Sequence, residues 1–471
     1  NETTEINFLI SKVDMDDPAD IWTIDGSLNT LSDRPGMDSQ ETNSYGVKVT
    51  KNFNNFDLQS FTSATKTDVI FSYDADWGNP ESHFPYTYDY FSETLRKRDT
   101  FSQEIRFLSK NTDFSEKKPF EWVFGFDFSE LEETNVTRDD GIYGDPSDPY
   151  GPYASESIIA RNYEAENLSL FGNIDYFLSE NYKLAFGLRW ENWNSKYKDS
   201  NQESFKPSDN MNGGKVSLIK NNDNTNIYLS FARGYKQGGF NLGLDATDNT
   251  IKDSLIYDPE FLTNYEIGIN SKSNDMSFNY SAVIFFSKRE DQQVLISKQV
   301  DPTDPNTFSY LTQNAAEGEN YGLEISSNYF VSDNLYLFAN LGFLKTKIKN
   351  WQSRIDLQDR AQAHAPEKTY SVGMNFDVMN NFYLKFDING KSSFYYSDSH
   401  DNKSQSYQLV NIHFGYSKDN ISAELWIRNA FDKYYSTRGF YFGNEAPNFV
   451  DTLYRRQGDP KNFGLSLRYN F

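Results

Sequence analysis

Few side chains in this 471-residue sequence are spaced to do covalent chemistry. His83, His364, His400 and His413 are the groups suited to move protons or hold a transition metal near neutral pH. They are scattered, and none stands in a His-x-x-x-His or similar ligand spacing. Cysteine is absent, which removes disulfides, thiol nucleophiles and thiolate metal sites. No G-x-S-x-G elbow or Gly-rich phosphate loop occurs, and "GGF" (238–240) ends a strand without opening a helix. The sequence therefore predicts no enzyme, no cofactor and no resident metal.

What remains is recognition. The Tyr-rich stretches "SHFPYTYDYF" (82–91) and "RGFYFGNEAPNF" (438–449) offer stacking faces for a large ligand. From these and neighbouring segments come the aromatic and polar candidates Trp77, His83, Tyr86, Tyr88, Tyr441 and Asn444. Arg233 and Lys236 stand at the end of a strand beside "GGF", where they would meet an anion, with Tyr235 and Asn241 next to them. The acidic stretch "SELEETNVTRDDGIYGDPSDPYGPYASES" (129–157) contributes Tyr143, Tyr150 and Tyr153. Its Asp139, Asp140, Asp145 and Asp148 would suit a divalent cation in chemistry but lack EF-hand spacing. A solvated acidic surface loop is the simpler reading of that stretch.

The elements that must hold these residues are strands. In "NYKLAFGLRWEN" (181–192), Tyr182, Leu184, Phe186, Leu188 and Trp190 share one face, and Lys183, Ala185, Gly187, Arg189 and Glu191 the other. "FEWVFGFDF" (120–128) and the final "KNFGLSLRYNF" (461–471) alternate alike. About 18 such strands can be read, and no convincing helix. Very short polar turns alternate with longer segments at 15–40, 77–98, 131–158, 238–259, 298–307, 349–366 and 437–456. Hairpins tight at one end and long at the other describe a single up-and-down sheet.

Composition places that sheet in a membrane. Aromatic residues make up 17% of the chain, with 39 Phe and 32 Tyr, yet the mean hydropathy is −0.73. No apolar run reaches the length of a membrane helix, but a barrel strand needs only about 9–11 residues with every second one apolar. A soluble sandwich also alternates, but here the strands are long and aromatics crowd their ends, as in a membrane barrel's girdles. Leu184, Phe186, Leu188, Ile267, Ile269, Phe386, Ile388, Leu465 and Leu467 are expected to face lipid. Arg106, Arg189, Glu191, Glu266, Glu324, Glu424, Arg428 and Arg468 are expected to face a watery lumen, mostly as ion pairs. The formal charge of −23 argues against nucleic acid as a partner.

Several stretches resemble one family. "SYDADW" (72–77), "SQEIRFLS" (102–109), "FARGYKQGGFN" (231–241), "TNYEIGINSK" (263–272), "ENYGLEISSNYF" (319–330) and "LWIRNAFDKYY" (425–435) are similar, in order and spacing, to TonB-dependent outer-membrane receptors. The resemblance runs along essentially the whole chain. It implies an all-β, transmembrane, antiparallel up-and-down barrel in the outer membrane of a Gram-negative bacterium. It implies capture of a ferric siderophore or another scarce large nutrient on extracellular loops, and import powered by the TonB complex. It also implies that the terminal file Phe463, Leu465, Leu467, Tyr469 and Phe471 is read by the barrel assembly machinery. The family's barrel has about 22 strands around a plug. With some 18 strands, no plug, no initiator Met and no signal peptide in view, residues 1–471 are expected to be the barrel portion, its first strands, plug and TonB-contacting segment lying upstream. A gapped seam between the first and last strands would follow. The expected partners are outer-membrane lipid, the assembly machinery, the TonB complex and the nutrient, for a monomer. Two other readings stay open: a passive 18-stranded porin, and a surface binding barrel that transports nothing.

Overall fold

Alternation of apolar and polar side chains becomes an antiparallel meander. The computed structural model describes residues 3–110, 119–242, 255–299, 308–379, 381–398 and 400–470. Strands β1 (Thr4–Pro18), β2 (Met37–Asn52), β3 (Phe56–Asp74), β4 (Thr87–Ser109), β5 (Phe120–Gly144), β6 (Tyr153–Phe177) and β7 (Tyr182–Asp199) come first. The two-residue β8 (Ser204–Phe205) is a spur on β7. Next are β9 (Ser208–Asn221) and β10 (Thr225–Lys236), then a small ribbon of β11 (Gly239–Phe240) and β12 (Ile256–Tyr257). The sheet continues through β13 (Glu260–Lys272), β14 (Phe278–Gln299), β15 (Phe308–Ser332), β16 (Leu335–Lys349), β17 (Lys368–Met379), β18 (Phe382–Lys391), β19 (Tyr407–Lys418) and β20 (Ile421–Arg428). A hairpin of β21 (Ser436–Phe442) and β22 (Thr452–Gln457) stands apart, and β23 (Asn462–Tyr469) completes the sheet. Among the described residues the meander has the expected eighteen strands, β8 being the nineteenth member.

The register confirms the two faces. Phe126 stands opposite Leu170, and Leu170 opposite Trp190. One residue along, Asp127 stands opposite Ser169, and Ser169 opposite Glu191. On the outer file Phe186, Leu188, Ile267, Leu465 and Leu467 are exposed, while Leu184, Ile269, Phe386 and Ile388 are half-covered by neighbours. The other face is ionic: Lys183 pairs with Asp175 at 2.8 Å, and Arg189 with Asp127 at 3.2 Å and Glu191 at 2.9 Å. Leu188, opposite Gly172, is 76% exposed and has little protein around it to shelter a charge. Leu188→Arg is expected to destabilise the folded barrel by about 2–4 kcal/mol in bilayers, measured by denaturant unfolding from vesicles. An unchanged midpoint would mean that this face does not meet lipid.

The stretch at 129–157 differs from the expected loop. β5 and β6 each run 25 residues, so 129–144 and 153–157 are strand and only 145–152 is turn. The outward file of β5 shows why: Phe120, Trp122, Phe124, Phe126 and Phe128 are followed by Glu130 and Glu132. The apolar band spans the length a bilayer needs. Beyond it the ladder continues in water, held by pairs such as Arg138–Glu156 at 3.0 Å. The segment at 77–98 is likewise shorter as a loop, because β4 starts at Thr87.

Eighteen flat strands at about 4.8 Å spacing would spread roughly 80 Å. Yet Tyr88 donates to Asn444 Oδ1 at 3.0 Å, and the rings of Trp22 and Phe440 lie 4.5 Å apart. The sheet therefore curls, bringing the loops of its first strands against the loop before its last. The expected gap is present: β1 pairs with β2 and β23 with β20, and among the described residues no ladder joins β1 to β23. Packed apolar side chains gather on the long-loop side. One cluster, Val294, Ala316, Ile348, Trp351 and Leu357, forms where the 350–367 loop folds over β14–β16.

Candidate functional site

Three long segments, 19–36, 75–86 and 429–461, build a cap over one sector of the loop rim. Its centre is Trp77, which has a left-handed backbone (φ 59°), a conformation that bulky residues avoid unless packing imposes it. The packing is aromatic: Trp77 lies 5.8 Å from Phe440 and 4.8 Å from Tyr454, ring to ring. Tyr454 is 2% exposed, and burial raises its phenol pKa. Tyr434 donates to the Gly26 carbonyl, and Gln457 Nε2 to the same oxygen at 3.3 Å.

A polar network lies beside the aromatic one. Asp76 Oδ1 meets His83 Nε2 at 3.1 Å and accepts the Gly78 N–H at 3.0 Å, while Oδ2 accepts the Tyr90 N–H at 2.6 Å. A side chain on Gly78 would collide with the His83 ring, so the turn needs glycine. Asn444, fully buried, donates to the Asp76 carbonyl at 2.6 Å and accepts from Tyr88. The Tyr88 ring packs 5.0 Å from His83 and 6.3 Å from Tyr143, and its burial raises the phenol pKa. The structure thus gathers five sequence candidates, Trp77, His83, Tyr88, Tyr143 and Asn444. Tyr88, Asn444 and His83 are joined through Asp76, while Trp77 and Tyr143 join by ring packing, which suits a scaffold under a binding surface.

The remaining rim candidates are spread out. Tyr86 is half-buried and its N–H donates to the His83 carbonyl at 2.9 Å. Tyr150 is 85% exposed at the β5–β6 tip. Tyr153, also exposed, donates to Asp148 at 2.9 Å, and Asp145 is capped by Ser147. Among the described residues no three His, Asp or Glu side chains are disposed to hold a metal ion. Asn241, just past β11, is buried and bonded to β15, exchanging two bonds with the Thr312 backbone at 2.8 Å each. Tyr441 accepts from Asn402 at 2.8 Å and packs 5.1 Å from His400. Burial, and then nearby arginines, lower the pKa of both His364 and His400, which keeps them neutral in the loops. Phe463, Leu465, Leu467 and Tyr469 share one exposed file; Phe471 lies outside the described residues.

Below the rim, the recesses of the lumen wall include two that bear on charged recognition. One, of about 1260 Å3, is lined by Arg189, Glu191, Lys215, Arg233, Tyr235 and Glu266, among others. In it Tyr235 donates to Glu191 at 2.9 Å. The Arg233 guanidinium lies 4.4 Å from the ring centre of Phe261, which shares the register file of Tyr265 and Ile267. Lys236, the exposed last residue of β10, stands opposite Glu260. The second recess, of about 520 Å3, was not legible in the sequence. Asp38, Gln40, Thr67, Thr94, Arg96 and Arg98 line it. Both arginines lean on one carboxylate: Arg98 reaches Glu133 at 2.6 Å and Arg96 at 3.2 Å. Arg96 and Arg98 share the face of Glu104 and Arg106, and that period of two was the available signal.

A family model described as TonB dependent receptor-like, beta-barrel, matches residues 4–430. The chain belongs to that family. The pesticin receptor of Yersinia enterocolitica is 20% identical over 406 residues, which span 81% of this chain and 54% of that one. The chain thus spans about half the length of this curated relative. The solved ferric yersiniabactin uptake receptor FyuA from Yersinia pestis aligns with a TM-score of 0.76 at 15% identity, over 100% of this chain and 68% of that one. The siderophore receptor PiuA from Acinetobacter baumannii aligns with a TM-score of 0.74 at 17% identity, over 99% and 72%. At such identities the likeness speaks to fold, and the fold is the barrel of TonB-dependent receptors.

Proposed function

We propose that this chain is the barrel portion of an outer-membrane receptor that captures a ferric siderophore or a similar large chelate on its loop side. In this reading a plug preceding the barrel closes the lumen, and the TonB complex supplies the energy for import. The outer file of Phe463, Leu465, Leu467 and Tyr469 serves lipid contact, these residues and the terminal Phe471 serve recognition by the assembly machinery, and the receptor acts as a monomer. The relatives named for pesticin, ferric yersiniabactin and siderophores support the substrate class. The observation that carries the reading is the Arg96–Arg98 recess, two guanidiniums that line the lumen wall of a strongly acidic chain beside Glu133 and Asp38. Such local charge outweighs distant charge, since screening acts over about 8–10 Å. Exposed Tyr150, Tyr153 and Tyr441 would make first contact above it, and Arg233, Tyr235 and Lys236 would line the path below.

A porin of these strands would close through a β1–β23 ladder, and among the described residues there is none. The deciding experiment uses the full-length protein in a receptor-deficient strain under iron limitation. Growth on ferric chelates should appear with the receptor and vanish when TonB is deleted. Uptake that persists without TonB would establish passive passage instead.

A further inference from the structure

Four separate stretches of chain close a sealed acidic site at the loop end of β3. Asp74 is fully buried, and its Oδ2 has no hydrogen-bond partner. Its Oδ1 accepts the Asp76 N–H at 3.3 Å. From the 19–36 loop, the Asp20 carboxylate accepts the N–H groups of Asp74 (2.9 Å) and Gly36. Asp76 is 1% exposed and carries His83 as its ring partner. Asn444 joins the site from the last long loop through the Asp76 carbonyl.

The other charged groups nearby do not neutralise it. Asp33, on the 19–36 loop, adds negative charge. Arg34 is held by Asp89 of β4 at 3.1 Å and Asp140 of β5 at 2.8 Å. β4 otherwise presents the Tyr90 N–H and the Tyr88 hydroxyl, and the last loop the neutral Asn444. Among the described residues no Lys or Arg pairs with Asp20, Asp74 or Asp76. Two buried carboxylates side by side are not both ionised at low cost, and sharing a proton resolves the conflict.

We propose that Asp74 is the proton-binding member of a pH-operated clasp: with its Oδ2 protonated and donating to Asp76, the 75–86 and 443–451 loops stay closed on the rim, and loss of that proton frees them. Burial, then the Asp76 charge, raises the Asp74 pKa to about 7. Burial also works to raise Asp76, but the His83 ring and the amides of Tyr90 and Gly78 outweigh it and hold that group below its ordinary value. A carboxyl whose pKa is raised in the closed form stabilises it fully below the ordinary value of about 3.9. That contribution is lost as pH rises through about 7. Asp76 has the opposite sign and loses its contribution in strong acid, so the clasp is firmest in weak acid.

The test needs no ligand, so its result is separate from that of the import reading. The chain has no cysteine, and Phe84 and Val450 are exposed, 81% and 64%, on the two loops. Phe84→Cys and Val450→Cys in the full-length protein would carry a spin-label pair for distance measurement in lipid at about pH 5.5 and about pH 8.5. The expected result is one short distance in acid and a second, longer population in base, with a midpoint near 7. Asp74→Asn, neutral at all pH and able to donate, should keep the short distance at both pH values. If Asp74→Asn opens the cap throughout, Asp76→Asn decides in its place, because it too removes the repulsion and should abolish the opening in base. A pH-independent distribution in the parent, or a pH transition that survives both substitutions, overturns the proposal.

Discussion

Replacing Arg96 and Arg98 together by alanine is expected to weaken binding of an anionic ferric chelate to the full-length receptor by about 10–100-fold, the largest effect on recognition in the lumen wall. Hydrogen bonds from a guanidinium to an anion are each worth about 1.5–3 kcal/mol net. Part of that is spent separating the arginines from Glu133, which they already hold. Glu133 therefore provides the control of opposite sign. Glu133→Gln removes the competing carboxylate and should tighten the same chelate, while the double alanine variant weakens it. Titration calorimetry on purified receptor, repeated with a neutral chelate of similar size, separates charge from shape. Equal affinity in all three proteins would move recognition to the plug or the rim aromatics. Arg233→Ala with Lys236→Ala is the parallel comparison for the path below.

How far the sequence was legible follows from which forces act locally. Lipid on one side and water on the other impose a period of two, so Phe186, Leu188, Ile267 and Leu465 could be placed on the outer file without a structure. The strand count followed for the same reason. Beyond the bilayer both faces meet water and hydropathy stops reporting on strands. That is why the ladder continuing through Glu130, Glu132 and Arg138 looked like an acidic loop, and why Arg96 and Arg98 were hidden in a segment taken as loop. The rim candidates were found by type but not by environment. Whether a tyrosine is exposed, like Tyr150, or buried, like Tyr88, depends on partners far along the chain. The Tyr88–Asn444 bond spans 356 positions. The left-handed turn at Trp77 left no mark in composition, because only its packed neighbours make it tolerable.

Trp77→Ala is expected to have the largest effect on stability, about 3–5 kcal/mol, confined to the cap. The indole bridges Trp22, Phe440, Phe442 and Tyr454, at ring separations of 4.8–6.2 Å, and so joins the 75–86 loop to the β21–β22 hairpin. Alanine keeps the unfavourable left-handed backbone, a cost the parent already carries, and removes the packing that enforces it, so the change reports the lost packing. The barrel wall has its own ladder and does not depend on this ring. Hydrogen exchange at one fixed pH should therefore show amides of 75–90 and 436–457 exchanging about 100- to 4000-fold faster, with those of β5, β6 and β7 unchanged. Trp77→Gly, which relieves the backbone but leaves the same cavity, should recover only about 1 kcal/mol of the loss. Protection that persists in the cap of Trp77→Ala would show that the Asp76–Asn444 network holds the loops without the aromatic cluster. Protection lost across the whole sheet would show that the cap braces the open seam beneath it.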